Sequence, residues 1–220
     1  MRAFEQHDRT SVLRAPNGAL ELEWPNIKEI EAGLSADGET IWVHKYAAYV
    51  YQKDGLAYLA ENKNRKIVLC VRDPQKSLVS WMLMHRGIAE KGHLPNHFAF
   101  KNRDFYLNCS VDEYFGRFAK ARLNYPEYFR NLASVFGLNR IAIVSQEKMS
   151  QGVDVVARRL VEFSQTGSMN TSELEADGSA HRARADRSEM EISDRVKEKL
   201  AGWRAELRNY ANRPDVAAII

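Results

Sequence analysis

The sequence predicts a single α/β domain over residues 1–220, built on a mainly parallel sheet flanked by helices. Three observations carry this. Two continuous apolar runs, "KIVLCV" (66–71) and "RIAIVS" (140–145), have the β-branched content and length of strands covered on both faces. Segments of helical period alternate with them, such as Val153, Val156, Leu160 and Phe163, or Ile192, Val196, Leu200 and Trp203. A chain of 220 residues that is 45% hydrophobic and 28% charged is long enough to bury one sizeable core.

In order, "MRAFEQHD" reads as a short helix, and "TSVLRAPNG" as a strand that Pro16-Asn17-Gly18 turns. "NIKEIEAGL" is a helix closed by Gly33, and a short strand runs from Thr40 to Val43 and ends at His44. "KDGLAYLAENK" is a helix and "KIVLCV" the first buried strand. "DPQKSLVSWMLMHRGIAEKG" is a helix with Asp73 as N-cap and Pro74 in its first position. Residues 92–110 show no clear period and read as a long loop. Two helical segments break near Pro126, and the second apolar strand leaves through Gln146-Glu147. An amphipathic helix from Gly152, a polar loop (168–189) and a charged final helix complete the chain.

Composition excludes several classes. No apolar run approaches the ~20 residues of a membrane-spanning helix, and "MRAFEQHDRT" has no apolar signal region, so a cytoplasmic location is the default expectation. Cys70 and Cys109 have neither metal-ligand spacing nor the look of a disulfide framework, and no metal is expected. A net charge of +3 disfavours nucleic-acid binding. The basic residues are uneven, however: nine Lys or Arg fall between Lys63 and Arg103 against Asp73 and Glu90. Most are expected to be solvated surface, but the segment suits a phosphate or sulfate.

In parallel sheets, ligands sit beyond the carboxyl ends of strands. His44-Lys45, Arg72-Asp73 and Gln146-Glu147 are therefore the places to look. Arg72 ends a strand, and a helix starts at once behind it, with amides and a dipole that favour an anion. Ser77 and Ser80 share one face of that helix. An arginine fork and a serine hydroxyl can hold a phosphate together. The competing reading is Arg72 paired with a neighbouring carboxylate and Ser80 packed in the helix.

"KIVLCVRDPQKSLVSWMLMHR" resembles the 3′-phosphate-binding segment of sulfotransferases that use 3′-phosphoadenosine 5′-phosphosulfate. Arg72 and Ser80 match its two phosphate ligands in spacing, and Trp81 its aromatic. "TIWVHKY" resembles the strand carrying that family's Lys/His pair, and the chain from Tyr125 to Gly167 resembles its following helix, strand and helix. The resemblance covers roughly residues 1–165. It implies a P-loop-type three-layer α/β fold and transfer of a sulfo group to a hydroxyl or amine. The acceptor is expected to be a small molecule, lipid or glycan.

That chemistry requires a general base for the acceptor and cations facing the leaving phosphate. The resemblance points to His44 as base and Lys45 as the stabilising cation. Animal members carry Lys-x-His where this chain has His-Lys, so a carboxylate or another group stays open as the base. Gln146 replaces the family's tyrosine. Arg182 and Arg184, in "GSAHRARADR", fall where the family places a late basic loop on the 3′-phosphate, although its glycines are absent. Phe98, Phe100, Phe105 and Tyr106 either line an acceptor pocket or anchor their loop. His85, His93 and His97 read as surface or acceptor-facing residues.

The family opens with a strand and a Pro-(Lys/Arg)-Ser-Gly-Thr-(Thr/Ser) loop around the 5′-phosphosulfate, and neither that motif nor GxxxxGK[ST] occurs in this sequence. The N-terminal strand and phosphate loop are therefore expected to be missing. Either Met1 is internal to a longer protein, or the chain is a short relative that binds the donor poorly. The alternatives to a sulfotransferase are a non-catalytic nucleotide- or anion-binding relative and, ranked third, a P-loop small-molecule kinase. The kinase would need a magnesium-holding aspartate and a phosphate-loop lysine, neither of which is evident.

Overall fold

The computed structural model of the chain describes residues 10–13, 41–44, 53–92, 97–149, 152–164 and 190–219. Strands β1 (Thr10–Leu13) and β2 (Ile41–His44) pair in parallel, Thr10 opposite Ile41 and Leu13 opposite His44. A second parallel sheet has the order β3 (Ile67–Val71), β4 (Ile141–Ser145), β5 (Ala217–Ile219). Every pairing among the described strands is parallel, as the alternation of apolar runs and helical segments predicts.

Helix α1 (Lys53–Glu61) leads into β3, and α2 (Pro74–Lys91) leaves it. The cap of α2 is the one the sequence specifies. Asp73 Oδ1 accepts the amides of Gln75 and Lys76, both at 3.0 Å, and Pro74 occupies the first turn, where no amide is needed. The helix stops at Gly92, whose φ of 64° is left-handed and whose N–H donates to the Ile88 carbonyl.

The expected loop after α2 is instead partly helical. Short helices α3 (Phe98–Lys101) and α4 (Arg103–Asn108) precede α5 (Val111–Tyr114), a π-helical turn (Phe115–Ala119) and α6 (Lys120–Leu123). Two of these short helices are started by a side chain. His97 Nδ1 accepts the Ala99 amide, and Ser110 and Glu113 form a reciprocal capping box. Helix α7 (Tyr125–Phe136) begins with Pro126 in its first turn, so the proline opens this helix. The short α8 (Gln146–Met149) follows β4 directly, then α9 (Val153–Ser164) and α10 (Asp194–Ala211).

Two large apolar clusters hold most of these elements, and a small third one joins Val156 and Leu160 of α9 to Val144 of β4. Leu78 and Met82 of α2 pack with Tyr106, Val111, Tyr114, Phe115 and Leu123, and with Val196 and Leu200 of α10. Leu56 and Leu59 of α1 pack with Val71, Phe129, Leu132, Phe136, Ile141 and Ile143, and with Leu207 and Ala211. The first half of α10 therefore seals one cluster and its second half the other. Each leucine or methionine buried to this degree contributes ~1.5–3 kcal/mol, which offsets the cost of packing so charged a helix onto the core.

One expectation is corrected. β4 is buried along its whole length, but β3 is covered on one face only. Ile67, Leu69 and Val71 face the second cluster, while Val68 and Cys70 on the opposite face are exposed. β3 is also an edge among the described strands. A continuous apolar run is compatible with either burial, because its composition does not say how many faces find a partner.

Candidate anion site at two strand exits

Parallel pairing brings the ends of β3 and β4 together. Val71 is opposite Ser145, so Arg72-Asp73 and Gln146-Glu147 leave the sheet side by side. The exits are tied: the Asp73 amide donates to Glu147 Oε1 at 3.0 Å. Glu147 Oε2 accepts the Ser145 hydroxyl at 3.2 Å, and Ser145 Oγ accepts the Lys148 amide at 3.2 Å. Asp73 Oδ2 takes the guanidinium of Arg204, from α10, at 2.8 Å. Asp73 is thus held at its amide and at both carboxylate oxygens by three separate elements.

Arg72 is half-buried between these anchors, and among the described residues it makes no ion pair. The adjacent aspartate pairs with Arg204 instead, and the salt-bridged alternative is not found among the described residues. Ser77 is buried at 2% exposure, and Ser80, about two turns into α2, is half-buried. The Tyr125 hydroxyl lies against the Ser77 side chain and the Arg72 backbone. Burial pushes that phenol up, and the Ser77 and Arg72 contacts pull it the other way.

His44 is the last residue of β2, at a strand exit as the sequence predicts; its side chain lies outside the described residues. Lys45, His93, Arg182 and Arg184 also lie outside them. The structure therefore brings Arg72, Asp73, Ser77 and Glu147 into one site and describes no side-chain link from it to His44.

Three of the loop aromatics anchor their segment to the core, while Phe98 is partly exposed. Tyr106 is buried, and Phe100 and Phe105 pack against the first cluster; Phe98 stacks on Phe118 at 5.1 Å between ring centres. His85 is a core residue rather than a surface one, at 3% exposure among the rings of Phe98, Tyr106, Tyr114 and Phe118. Its Nδ1 lies 2.7 Å from the Tyr114 hydroxyl. Burial, then His97 and Arg122, lower its pKa from 6.5 to about 4. Burial pushes the Tyr114 phenol well up, so the hydroxyl keeps its proton and the pair is a hydrogen bond between a neutral phenol and a neutral ring, its donor set by the ring tautomer. Among the described residues no group of three or more His, Cys, Asp and Glu is placed to hold a metal ion, and no helix is long and apolar enough to cross a membrane.

Sequence reasoning missed Tyr125 and Arg204 as members of this site. Glu147 was visible as a strand exit, but its grip on the Asp73 amide follows only from the register of β3 on β4.

Comparison with known proteins supports the same family as the Arg-Asp-Pro segment. No curated protein matches the chain. Among solved structures, the sulfotransferase from Alicyclobacillus acidocaldarius matches with a TM-score of 0.58 at 14% identity, covering 95% of this chain and 87% of that one. At that identity the likeness shows the fold, an α/β sulfotransferase fold with a small parallel sheet. The family model for the sulfotransferase domain matches residues 53–183, over half of the chain, and the protein therefore belongs to the sulfotransferase domain family.

Proposed function

We propose that this chain transfers a sulfo group from 3′-phosphoadenosine 5′-phosphosulfate to a hydroxyl or amine of a small molecule, lipid or glycan. The observation that carries the reading is Arg72: a guanidinium at a strand exit, before the first turn of a long helix, without an ion pair among the described residues. A guanidinium at a helix N-terminus, without an ion pair among the described residues, suits a phosphate. In this reading Arg72 and Ser80 hold the 3′-phosphate of the donor, and Arg182 and Arg184 add further contacts. His44 takes the acceptor proton, Lys45 faces the charge that develops on the transferring group, and no metal takes part. Residues 1–220 act as one domain.

A second reading is a non-catalytic relative that binds the nucleotide. It is favoured by one observation, the absence of the Pro-(Lys/Arg)-Ser-Gly-Thr motif from the sequence. Calorimetric titration with 3′-phosphoadenosine 5′-phosphate tests what both readings share. Arg72→Ala should weaken binding by about 10- to 100-fold, the loss of a charge-assisted contact worth roughly 1.5–3 kcal/mol. Equal affinity in the variant and the wild type would refute the assignment of Arg72. Binding without transfer of radiolabelled sulfo groups to any acceptor would select the second reading.

A further inference from the structure

We propose that Glu147 is a positioning residue for the anion site, acting through the backbone of the Arg72–Asp73 turn rather than by touching the ligand. The inference rests on the reading of Arg72 as a phosphate ligand and adds to it a residue that carries no positive charge.

The geometry is specific. The peptide that links Arg72 to Asp73 presents its N–H to Glu147 Oε1 at 3.0 Å. The carboxylate is itself fixed, because its other oxygen holds the Ser145 hydroxyl and that hydroxyl is held by the Lys148 amide. Ser145 is buried, at the last position of a strand paired in register with β3. The orientation of the Arg72–Asp73 peptide is therefore set from β4. Beyond it, Asp73 is anchored by the α2 amides and by Arg204. Rotation of that peptide would swing the Arg72 side chain, and small displacements of a binding group cost affinity steeply.

Electrostatics alone predicts the opposite. A carboxylate beside a phosphate site repels the ligand, so its removal should tighten binding. Positioning predicts weaker binding when the acceptor is lost, and near-normal binding when an uncharged acceptor replaces it. Glutamine keeps a carbonyl oxygen for the Asp73 amide and can donate to Ser145 Oγ.

The experiment titrates the full chain and its Glu147→Gln, Glu147→Ala, Arg72→Ala and Glu147→Ala/Arg72→Ala variants with 3′-phosphoadenosine 5′-phosphate, and follows hydrogen exchange of the Asp73 amide by NMR. Glu147→Ala should bind about tenfold more weakly than wild type, while Glu147→Gln stays near wild type. Glu147→Ala should add no further loss to Arg72→Ala, and the Asp73 amide should exchange faster in Glu147→Ala than in Glu147→Gln. The proposal is overturned if Glu147→Ala binds as tightly as wild type or tighter, if Glu147→Gln is as weak as Glu147→Ala, or if the Glu147 and Arg72 effects add independently. If Arg72→Ala binds normally while Asp73 exchange is still accelerated by Glu147→Ala, the phosphate reading of Arg72 has failed and the turn is held as described. Unchanged exchange in Glu147→Ala refutes Glu147's grip on the turn itself.

Discussion

Replacing His85 with glutamine should make the protein less sensitive to acid. In the folded chain His85 is neutral, buried and paired with Tyr114, and its pKa is lowered from 6.5 to about 4. The groups that face it reinforce the shift: His97 and Arg122 add charge of the wrong sign, and Phe98, Tyr106 and Phe118 offer no acceptor for a second ring proton better than water. The unfolded chain protonates this histidine near 6.5. The contribution to stability is therefore intact above that pH, falls as the pH drops toward 4, and is flat below. The whole span amounts to roughly 3 kcal/mol, and by pH 5 roughly 2 kcal/mol has gone; at 3% exposure little screening reduces it. Urea unfolding at pH 7.5 and pH 5 of wild type and His85→Gln measures it. Glutamine does not titrate and can still accept from Tyr114, and all other histidines are common to both proteins. Wild type should lose about 2 kcal/mol more than the variant across that interval. Equal losses would refute the neutral, buried assignment.

Arg140, at 9% exposure, donates to the carbonyls of Phe136 and Asn62 at 2.8 Å each and to Ala60 at 3.4 Å, and so closes the ends of α1 and α7. Arg140→Met should cost about 3 kcal/mol in urea unfolding, since three carbonyls lose a charged donor; a loss under 1 kcal/mol would contradict this. Glycines should respond with opposite signs. Gly92→Ala places a Cβ in a left-handed residue 3.1 Å from the Phe100 ring and should destabilise by about 1–2 kcal/mol. Gly202→Ala, in the interior of α10 with nothing within 4 Å of the new atom, should stabilise by about 0.5–1 kcal/mol. Thermal melts of the two variants should move in opposite directions.

What the sequence revealed follows from local rules. The Asp73-Pro74 start of α2, the two long apolar runs and the Val196–Leu200–Trp203 stripe of α10 depend on neighbours in the chain, and the structure has each of them, with Ile192 buried just ahead of the helix. The helices at Phe98–Lys101 and Arg103–Asn108 were not legible, because four to six residues are too few to show a period and such pieces stand on tertiary packing, here of Tyr106. The three-residue β5 was unreadable for the same reason. In the candidate site, Arg72 was legible as a strand exit followed at once by a capped helix. Arg204 was not: it meets Asp73 across 131 positions, and nothing local distinguishes it from the other cations of a charged helix.

That pairing bears on how the proposed anion site would tolerate two acids at its edge. Unit charges ~5 Å apart at an effective dielectric near 20 repel by roughly 3 kcal/mol, enough to erase the attraction of one arginine. In this chain both acids are committed to fixed donors. Asp73 holds two helix amides and Arg204, and Glu147 holds the Asp73 amide and Ser145. Each donor offsets part of the carboxylate's field where an incoming phosphate would feel it. The acids thus act on the candidate site chiefly through the backbone they hold in place, and Arg72 beside them makes no ion pair among the described residues. The motif's Asp-Pro serves geometry as much as helix initiation: Pro74 permits the immediate turn, Asp73 caps it, and the parallel register of β3 and β4 delivers Glu147 to lock it.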